Sequence, residues 1–138
     1  GRYLTDGELA VVQHARRLMT AFKGERLVPC HMDFIPANWL ATPDGAWAGV
    51  IDFEFSGRDV RVADIARDPD WAWMRRPDLV AALLAGYGRA RTGRLRRQLL
   101  VARTEYALQA ILWGRDNRYH GFEREGREAL ARLAPLLQ

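Results

Sequence analysis

The segment CHMDFIPANWL, residues 30–40, places three polar side chains of different kinds within a largely apolar stretch. His31 is followed by Asp33 and then by Asn38. A buried carboxylate is costly unless it is hydrogen-bonded, paired with a cation, bound to a metal or directed into a cavity. The pattern therefore indicates that Asp33 serves a site and is not an ordinary member of a core strand.

The elements predicted after this segment bring a second carboxylate toward it. Residues 38–42 and 47–53 have the composition of short strands, and the turn residues 43–45 separate them. In an antiparallel hairpin, the start of the first strand lies beside the end of the second. Asn38 and Asp52 are therefore expected almost opposite each other, with a possible slip of one residue in the register.

Asp33 precedes this hairpin, so oxygen atoms from three side chains are expected to converge at the open end of the hairpin. An amide oxygen and a carboxylate suit Mg²⁺, which keeps several waters and takes one or two carboxylates together with phosphate oxygens. A separate carboxylate nearby can accept a proton from a hydroxyl group. A metal clamp and a positioned base are the parts that phosphoryl transfer requires.

The motif His31-x-Asp33-x-x-x-x-Asn38, followed after the hairpin by Ile51-Asp52-Phe53-Glu54, resembles the aminoglycoside phosphotransferase and choline kinase family. That family is related in fold to the protein kinases, which carry the same loop spacing. The resemblance implies that Asp33 is the catalytic base and that Asn38 and Asp52 bind Mg²⁺ and, through it, ATP. It also implies that His31 supports the catalytic loop.

The resemblance continues at Asp64-Ile65-Ala66, where the family has an Asp that tethers the catalytic loop. Asp64 is thereby implied to be a structural residue. The sequence departs from the pattern at Met32, where the family usually has Gly, and at Glu54, where protein kinases have Gly. The family varies at both positions.

Composition favours one folded domain over residues 1–138. Hydrophobic residues make up 49% of the 138 residues and charged residues 28%, which is typical of a folded chain of this size. No apolar run approaches the roughly 20 residues of a membrane-spanning helix, so no membrane partner is expected. Cys30 is the single cysteine, which excludes an internal disulfide and fits a cytoplasmic location.

The helical pattern predicts an architecture that is mainly α with a small β-hairpin. Thr5 and Glu8 have the spacing of a capping box, which predicts a helix from Asp6 to Lys23 that Gly24 ends. The expected apolar face of this helix is formed by Leu9, Val12, Met19 and Phe22. Three later helices are predicted: one that starts at Pro77, one over residues 99–113 and one over residues 130–137. The resemblance identifies this arrangement as the C-terminal lobe of a protein-kinase-like α+β fold.

Kinases of this type hold ATP between two lobes, and the N-terminal lobe supplies a covering loop and a lysine. Lys23 is the only lysine in the chain and does not lie in a predicted strand. We therefore expect this chain to be the C-terminal lobe of a longer protein, without the nucleotide lobe. We expect phosphotransfer only from the full-length protein and weak ATP binding by this lobe alone.

The acceptor is expected to be a small molecule with a hydroxyl group, such as an aminoglycoside-like antibiotic, a sugar or an amino alcohol. Glu54, Trp71 and Trp73 are candidates for its pocket, although the tryptophans have the alternative of core positions and Glu54 that of facing solvent. Acidic residues in the C-terminal helices are interleaved with arginines, which weakens the case for a cationic antibiotic.

Two other classes of function remain as alternatives. A non-catalytic kinase-like domain could bind a ligand or a protein, and the exposed face of an isolated lobe could form a homodimer. A nucleic-acid partner is disfavoured because the net charge of +4 is small for this length. The densest basic cluster, Arg94, Arg96 and Arg97, is better explained as the solvated face of a helix.

Overall fold

The structure is a computed structural model that describes residues 3–66, 77–88 and 92–137. The chain divides into two compact units. The helical unit comprises Gly1–Lys23 with Thr92–Gln138, and the site unit comprises Gly24–Arg91. The regular elements are α1 (Asp6–Arg17), β1 (Leu27–Cys30), β2 (Trp39–Ala41), β3 (Trp47–Val50), β4 (Gly57–Val60), α2 (Ala63–Ala66), α3 (Pro77–Gly86), α4 (Gly93–Asp116) and α5 (His120–Leu133), with 3-10 turns at Met19–Phe22, Pro36–Asn38 and Ala134–Leu136.

Helix α1 begins where the sequence predicts. The hydroxyl of Thr5 accepts the backbone N–H of Glu8 at 3.2 Å, and the Glu8 carboxylate accepts the backbone N–H of Thr5 at 2.7 Å. This reciprocal capping box satisfies two N–H groups that have no partner inside the helix. The capping residues therefore fix the start of α1 by themselves.

The end of α1 differs from the prediction, because the α-helix stops at Arg17 and a 3-10 turn follows to Phe22. Side chains from α4 bind the carbonyl groups of this turn. Arg94 Nε and Gln98 Nε2 donate to the carbonyl of Ala21 at 2.9 and 3.0 Å. Arg94 also donates to the Lys23 carbonyl at 2.8 Å, and it is exposed together with Arg96 and Arg97, as the predicted solvated face requires.

The buried face of α1 also differs from the predicted one. Leu9 and Met19 are 44% and 54% exposed, whereas Val11 and Ala15 are buried. Val11 and Ala15 are four residues apart and so lie on one face of the helix. Through Val11 that face joins the main core of the helical unit, whose other buried members are Leu100, Ala107, Ile111, Leu130 and Leu133.

Helices α4 and α5 pack against each other at very short range. A Cβ atom at Gly126 would lie 2.5 Å from the Ala107 carbonyl oxygen and 2.8 Å from a side-chain carbon of Ile111. Leu130 and Leu133 on the same helix are buried, which confirms the predicted apolar face there. The close approach of the two helices therefore requires a residue without a side chain at position 126.

Arg127 of α5 holds the N-terminal segment in place. Its guanidinium donates to both carboxylate oxygens of Glu8 at 2.7 and 2.8 Å, to Glu123 at 2.7 Å and to the Tyr3 carbonyl at 3.1 Å. Burial raises the pKa of Glu8, but hydrogen bonds from Thr5 and Arg127 outweigh burial, and the net pKa lies below its usual value. Glu8 thus serves both the helix cap and the ion pair.

The site unit contains two small antiparallel sheets. Strand β2 pairs with β3 in the predicted hairpin, with Trp39 opposite Val50, a register one residue away from the predicted one. Strand β1 pairs with β4, with Leu27 opposite Val60 and Cys30 opposite Gly57, and this second sheet was not predicted. The described fold is therefore mostly helical with two two-stranded sheets. Among the described residues, no helix combines the length and the hydropathy needed to cross a membrane.

We predict that Gly126→Ala lowers the free energy of unfolding by about 2 kcal/mol, because the new methyl group overlaps a backbone carbonyl. Gly121→Ala on the same helix is the matched control, since its Cβ would meet only ordinary contacts at 3.9 Å. Urea denaturation of both variants measures the difference. Equal stabilities would contradict the close helix crossing.

We predict that Glu8→Gln lowers the stability at neutral pH by about 1–3 kcal/mol, the range for hydrogen bonds to charged groups. A depressed folded-state pKa stabilises the fold above the ordinary value of 4.5, and this contribution is lost as pH falls through the folded pKa. The wild-type protein should therefore lose stability more steeply between neutral pH and acid than Glu8→Gln.

Glu128→Gln is the control for this pH series, because Glu128 forms a more exposed pair with Arg132 at 3.8 Å. It should follow the wild-type curve. Parallel curves for wild type and Glu8→Gln would show that the Glu8 ion pair does not contribute.

Candidate functional site

The loop after β1 is tied at its first turn to helix α2. The backbone N–H of Met32 donates to Asp64 Oδ1 at 2.9 Å, so Asp64 lies where the resemblance implies a tether. Met32 has φ of +68°, in the left-handed region that favours glycine. This backbone conformation gives a physical reason for the glycine that the family usually has at this position.

His31 connects the loop before the hairpin to the segment after it. Its Nδ1 accepts the backbone N–H of Asp33 at 3.3 Å, and its Nε2 lies 2.9 Å from the Ile51 carbonyl oxygen. Because a carbonyl oxygen only accepts, Nε2 is the ring nitrogen that donates to Ile51, while Nδ1 accepts. The ring is buried and lies 4.5 Å from the ring of Phe53.

Asn38 brings the two polar residues of the loop together. Its Nδ2 donates to the Asp33 carbonyl oxygen and to Asp33 Oδ2, both at 2.9 Å. Asn38 is buried at the end of the Pro36–Asn38 turn, and its backbone N–H donates to Ile35. The predicted proximity of Asp33 and Asn38 is therefore a direct contact between side chains.

Asp52 is placed by the register of the hairpin. Trp39 pairs with Val50, and the N–H of Ile51 donates to the Asn38 carbonyl at 3.0 Å, so Ile51 lies opposite Asn38 and Asp52 is one residue beyond. The predicted position is thus correct within the one-residue slip. Asp52 is exposed and has φ of +68°, a conformation that Asp tolerates better than most residues.

The side chains fit the donor set of a hard cation. Because Asn38 Nδ2 donates twice to Asp33, the amide oxygen Oδ1 is left as the acceptor. Together with the exposed carboxylate of Asp52, it offers oxygen donors of the kind that Mg²⁺ prefers. No group of three or more His, Cys, Asp or Glu residues that could hold a metal occurs in the described parts of the chain, so such an ion would depend on water and phosphate for its other ligands.

The predicted acceptor residues are only partly described. Glu54 is exposed in the turn that the Ser56 N–H closes onto the Phe53 carbonyl at 3.0 Å. The structure does not bring Glu54 into the hydrogen-bonded group around Asp33. Trp71 and Trp73 lie outside the described residues.

The neighbouring Cys30 has the features of a structural residue. Its side chain is buried, and its Sγ lies 3.6 Å from the carbonyl oxygens of Asp59 and Val60. Burial raises the pKa of the thiol, and the nearby charge of Asp64 raises it further. A protonated buried thiol is a poor nucleophile, so Cys30 acts as a small core residue.

An apolar face lies beside the polar residues, and it was not predicted from the sequence. Leu40 and Ile51 are 43% and 46% exposed, and the register places them on the same side of the hairpin as Asn38. Gly49, opposite Leu40, has open space where a side chain would be. Side chains of alternate strand residues share one face. The spacing of positions 38 and 40, and of positions 49 and 51, was therefore the signal in the sequence from which this face could have been predicted.

We predict that Met32→Gly raises the free energy of unfolding by up to about 1 kcal/mol, because glycine removes the steric cost of a left-handed residue. The gain is smaller than the full steric cost because glycine also has more conformational entropy when unfolded. Met32→Ala is the control, since it shortens the side chain but keeps Cβ. A larger gain in Met32→Ala than in Met32→Gly, measured by urea denaturation, would contradict this explanation.

Comparison with known families gives one match. The model of the phosphotransferase enzyme family, APH, matches residues 3–100, which include the loop, the hairpin and Asp64. Comparisons with curated proteins and with solved structures give no significant match. Since the family match covers well over half of the chain, we conclude that this protein belongs to the phosphotransferase enzyme family.

Proposed function

We propose that this chain is the C-terminal lobe of a protein-kinase-like phosphotransferase that transfers the γ-phosphate of ATP to a hydroxyl group of a small molecule. The observation that carries the proposal is the double hydrogen bond from Asn38 Nδ2 to the backbone and carboxylate of Asp33. It fixes a carboxylate and an amide oxygen relative to each other, within a chain whose family transfers phosphate.

Asp33 has the role of base in this proposal. Its carboxylate is held through Oδ2 by Asn38, and its backbone N–H is held by His31. A carboxylate fixed in this way orients the acceptor hydroxyl and takes its proton as the phosphoryl group is transferred. One hydrogen bond holds the carboxylate and the other holds the backbone that carries it, which lowers the entropy cost of reaching the reactive geometry.

Asn38 Oδ1 and the Asp52 carboxylate would hold Mg²⁺ against the phosphates of ATP. The ion, when bound, supplies the positive charge that stabilises the charge developing on the phosphate oxygens. Asn38 is fixed by its bonds to Asp33, whereas Asp52 is fixed through its backbone, because Ile51 bonds to both Asn38 and His31. The chain's own contribution is thus to set the spacing of these two oxygen donors.

The face formed by Leu40, Gly49 and Ile51 suits the base of the nucleotide. Both aliphatic side chains are exposed, and Gly49 leaves a flat area opposite Leu40. A planar base covers apolar surface of this kind without leaving unpaired polar groups beneath it. We propose that an N-terminal lobe, in a longer protein, covers the other side of the base.

The acceptor in this proposal is a small polar molecule such as a sugar, an amino alcohol or an aminoglycoside-like compound. Glu54 could contribute one wall of its pocket, since its carboxylate is exposed close in sequence to Asp52. The class of the acceptor would emerge from screening hydroxyl compounds with the full-length protein.

We predict that Asp33→Asn in the full-length protein lowers kcat by about 10²–10⁴, the usual contribution of a general base, and leaves the affinity for MgATP nearly unchanged. Asp52→Ala should instead weaken MgATP binding by about tenfold or more. Steady-state kinetics with calorimetric titration of MgATP separates the two effects.

Asp44→Asn is the matched control, because Asp44 lies at the other end of the same hairpin, where its carboxylate bonds to Thr42 and to backbone groups of the turn. It should leave kcat and MgATP affinity unchanged. Wild-type turnover in Asp33→Asn would overturn the assigned base. If the full-length protein binds MgATP but phosphorylates no hydroxyl compound, the alternative of a non-catalytic ligand-binding domain would replace this proposal.

A further inference from the structure

An open cavity of about 500 Å³ lies beside the catalytic loop, within the site unit. Asp33, Asn38 and Asp52 do not line it, so it is separate from the groups assigned to phosphoryl transfer. Its size falls within the range of small-molecule sites, roughly 300–1,000 Å³. The cavity is lined by residues of β1, the loop after it, the hairpin and α2, among them Cys30, His31, Phe34, Phe53 and Asp64.

Three rings form the walls of this cavity. The His31 and Phe53 ring centres are 4.5 Å apart and tilted by 54°, and the His31 and Phe34 ring centres are 6.2 Å apart at 68°. Aromatic pairs prefer offset and edge-to-face arrangements of this kind. A further flat ring placed among them would extend the same packing, which favours an aromatic ligand over a branched aliphatic one.

The charge of the cavity is negative. Asp64 is the charged residue among those that line it, and its Oδ1 accepts the Met32 N–H. The Cys30 thiol stays protonated because burial raises its pKa. Cationic groups are therefore attracted to Asp64, and anionic groups are repelled.

From these observations we propose that the cavity binds an arylalkylammonium ion, a flat aromatic group on a short chain that ends in a protonated amine. The aromatic group packs among Phe34, Phe53 and His31, and the ammonium group pairs with Asp64 at the edge of the cavity. The inference goes beyond the proposed phosphotransfer and does not depend on it, since the proposed base and the proposed Mg²⁺ ligands do not line the cavity, although His31 and Asp64 also hold the loop.

The test is calorimetric titration of the 138-residue chain with tryptamine and, separately, with indole-3-acetate. Both probes carry the same indole ring, and they differ in the sign of the charge on the side chain. We expect tryptamine to bind about tenfold more tightly or better, the difference that one partly exposed ion pair and the absence of repulsion provide. Absence of tryptamine binding, or equal affinity of the two probes, would overturn the proposal.

Two phenylalanine variants locate the bound probe. Phe53→Ala should weaken tryptamine binding by about tenfold, because it removes one aromatic wall. Phe55→Ala is the matched control, since Phe55 is 64% exposed and does not line the cavity. Phe53 is itself 58% exposed, so its replacement should not prevent folding, and a thermal melt of each variant checks this.

Asp64→Asn tests the charge separately from the ring packing. This variant should bring the affinities for tryptamine and indole-3-acetate close together, because the amide keeps the size of the side chain but removes its charge. Should tryptamine keep its full advantage in Asp64→Asn, or bind Phe53→Ala as tightly as wild type, the probe occupies another surface and the assignment of this cavity is wrong.

Discussion

The placement of the candidate site depends on one imidazole ring. His31 uses both ring nitrogens, one to hold the backbone of Asp33 and the other to hold the backbone of Ile51. These two partners lie on opposite sides of the hairpin in the sequence, so the ring joins the loop that carries the carboxylate to the segment that carries Asp52. Since the ring is buried, loss of either hydrogen bond would leave a desolvated polar group, which costs more than the bond itself contributes. The geometry of the site therefore depends on the hydrogen bonds of His31, a residue that takes no part in the proposed reaction itself.

His31 can make this contact only because the backbone on both sides of it is fixed. Strand β1 ends at Cys30, which pairs with Gly57 of β4, and the next residue after His31 is held by Asp64 of α2. The loop therefore begins at a sheet, is tethered to a helix one turn later and ends at Asn38, where the second sheet begins. Each anchor uses a backbone group, so the positions of the side chains between them are set by chain geometry more than by apolar packing.

Features that are encoded within a few neighbouring residues were predictable from the sequence, and features that depend on contacts between distant segments were not. The capping box at Thr5 and the turn near Gly45 are encoded within a few residues, and both occur as expected. The order of the motif residues was sufficient to predict that Asp33 and Asn38 meet. Strand β4, Gly-Arg-Asp-Val, has no apolar alternation, and its pairing with β1 joins residues about thirty positions apart, so nothing local could indicate it. The 3-10 turn after α1 has a similar cause, because the side chains that bind its Ala21 carbonyl, those of Arg94 and Gln98, come from far along the chain.

Met32 and Asp52 share a left-handed backbone, both with φ of +68°, but for different physical reasons. At Asp52 the conformation and the chemistry agree, because Asp is among the residues that tolerate this region and its exposed carboxylate is the group the site needs. At Met32 the side chain has no role in the polar site, and the backbone conformation follows from the N–H that must reach Asp64. A tether that uses a backbone N–H constrains the dihedral angles but not the side chain. The loop therefore accepts a methionine where glycine would fit with less strain. The strain lowers the free energy of unfolding, but it does not move Asp33.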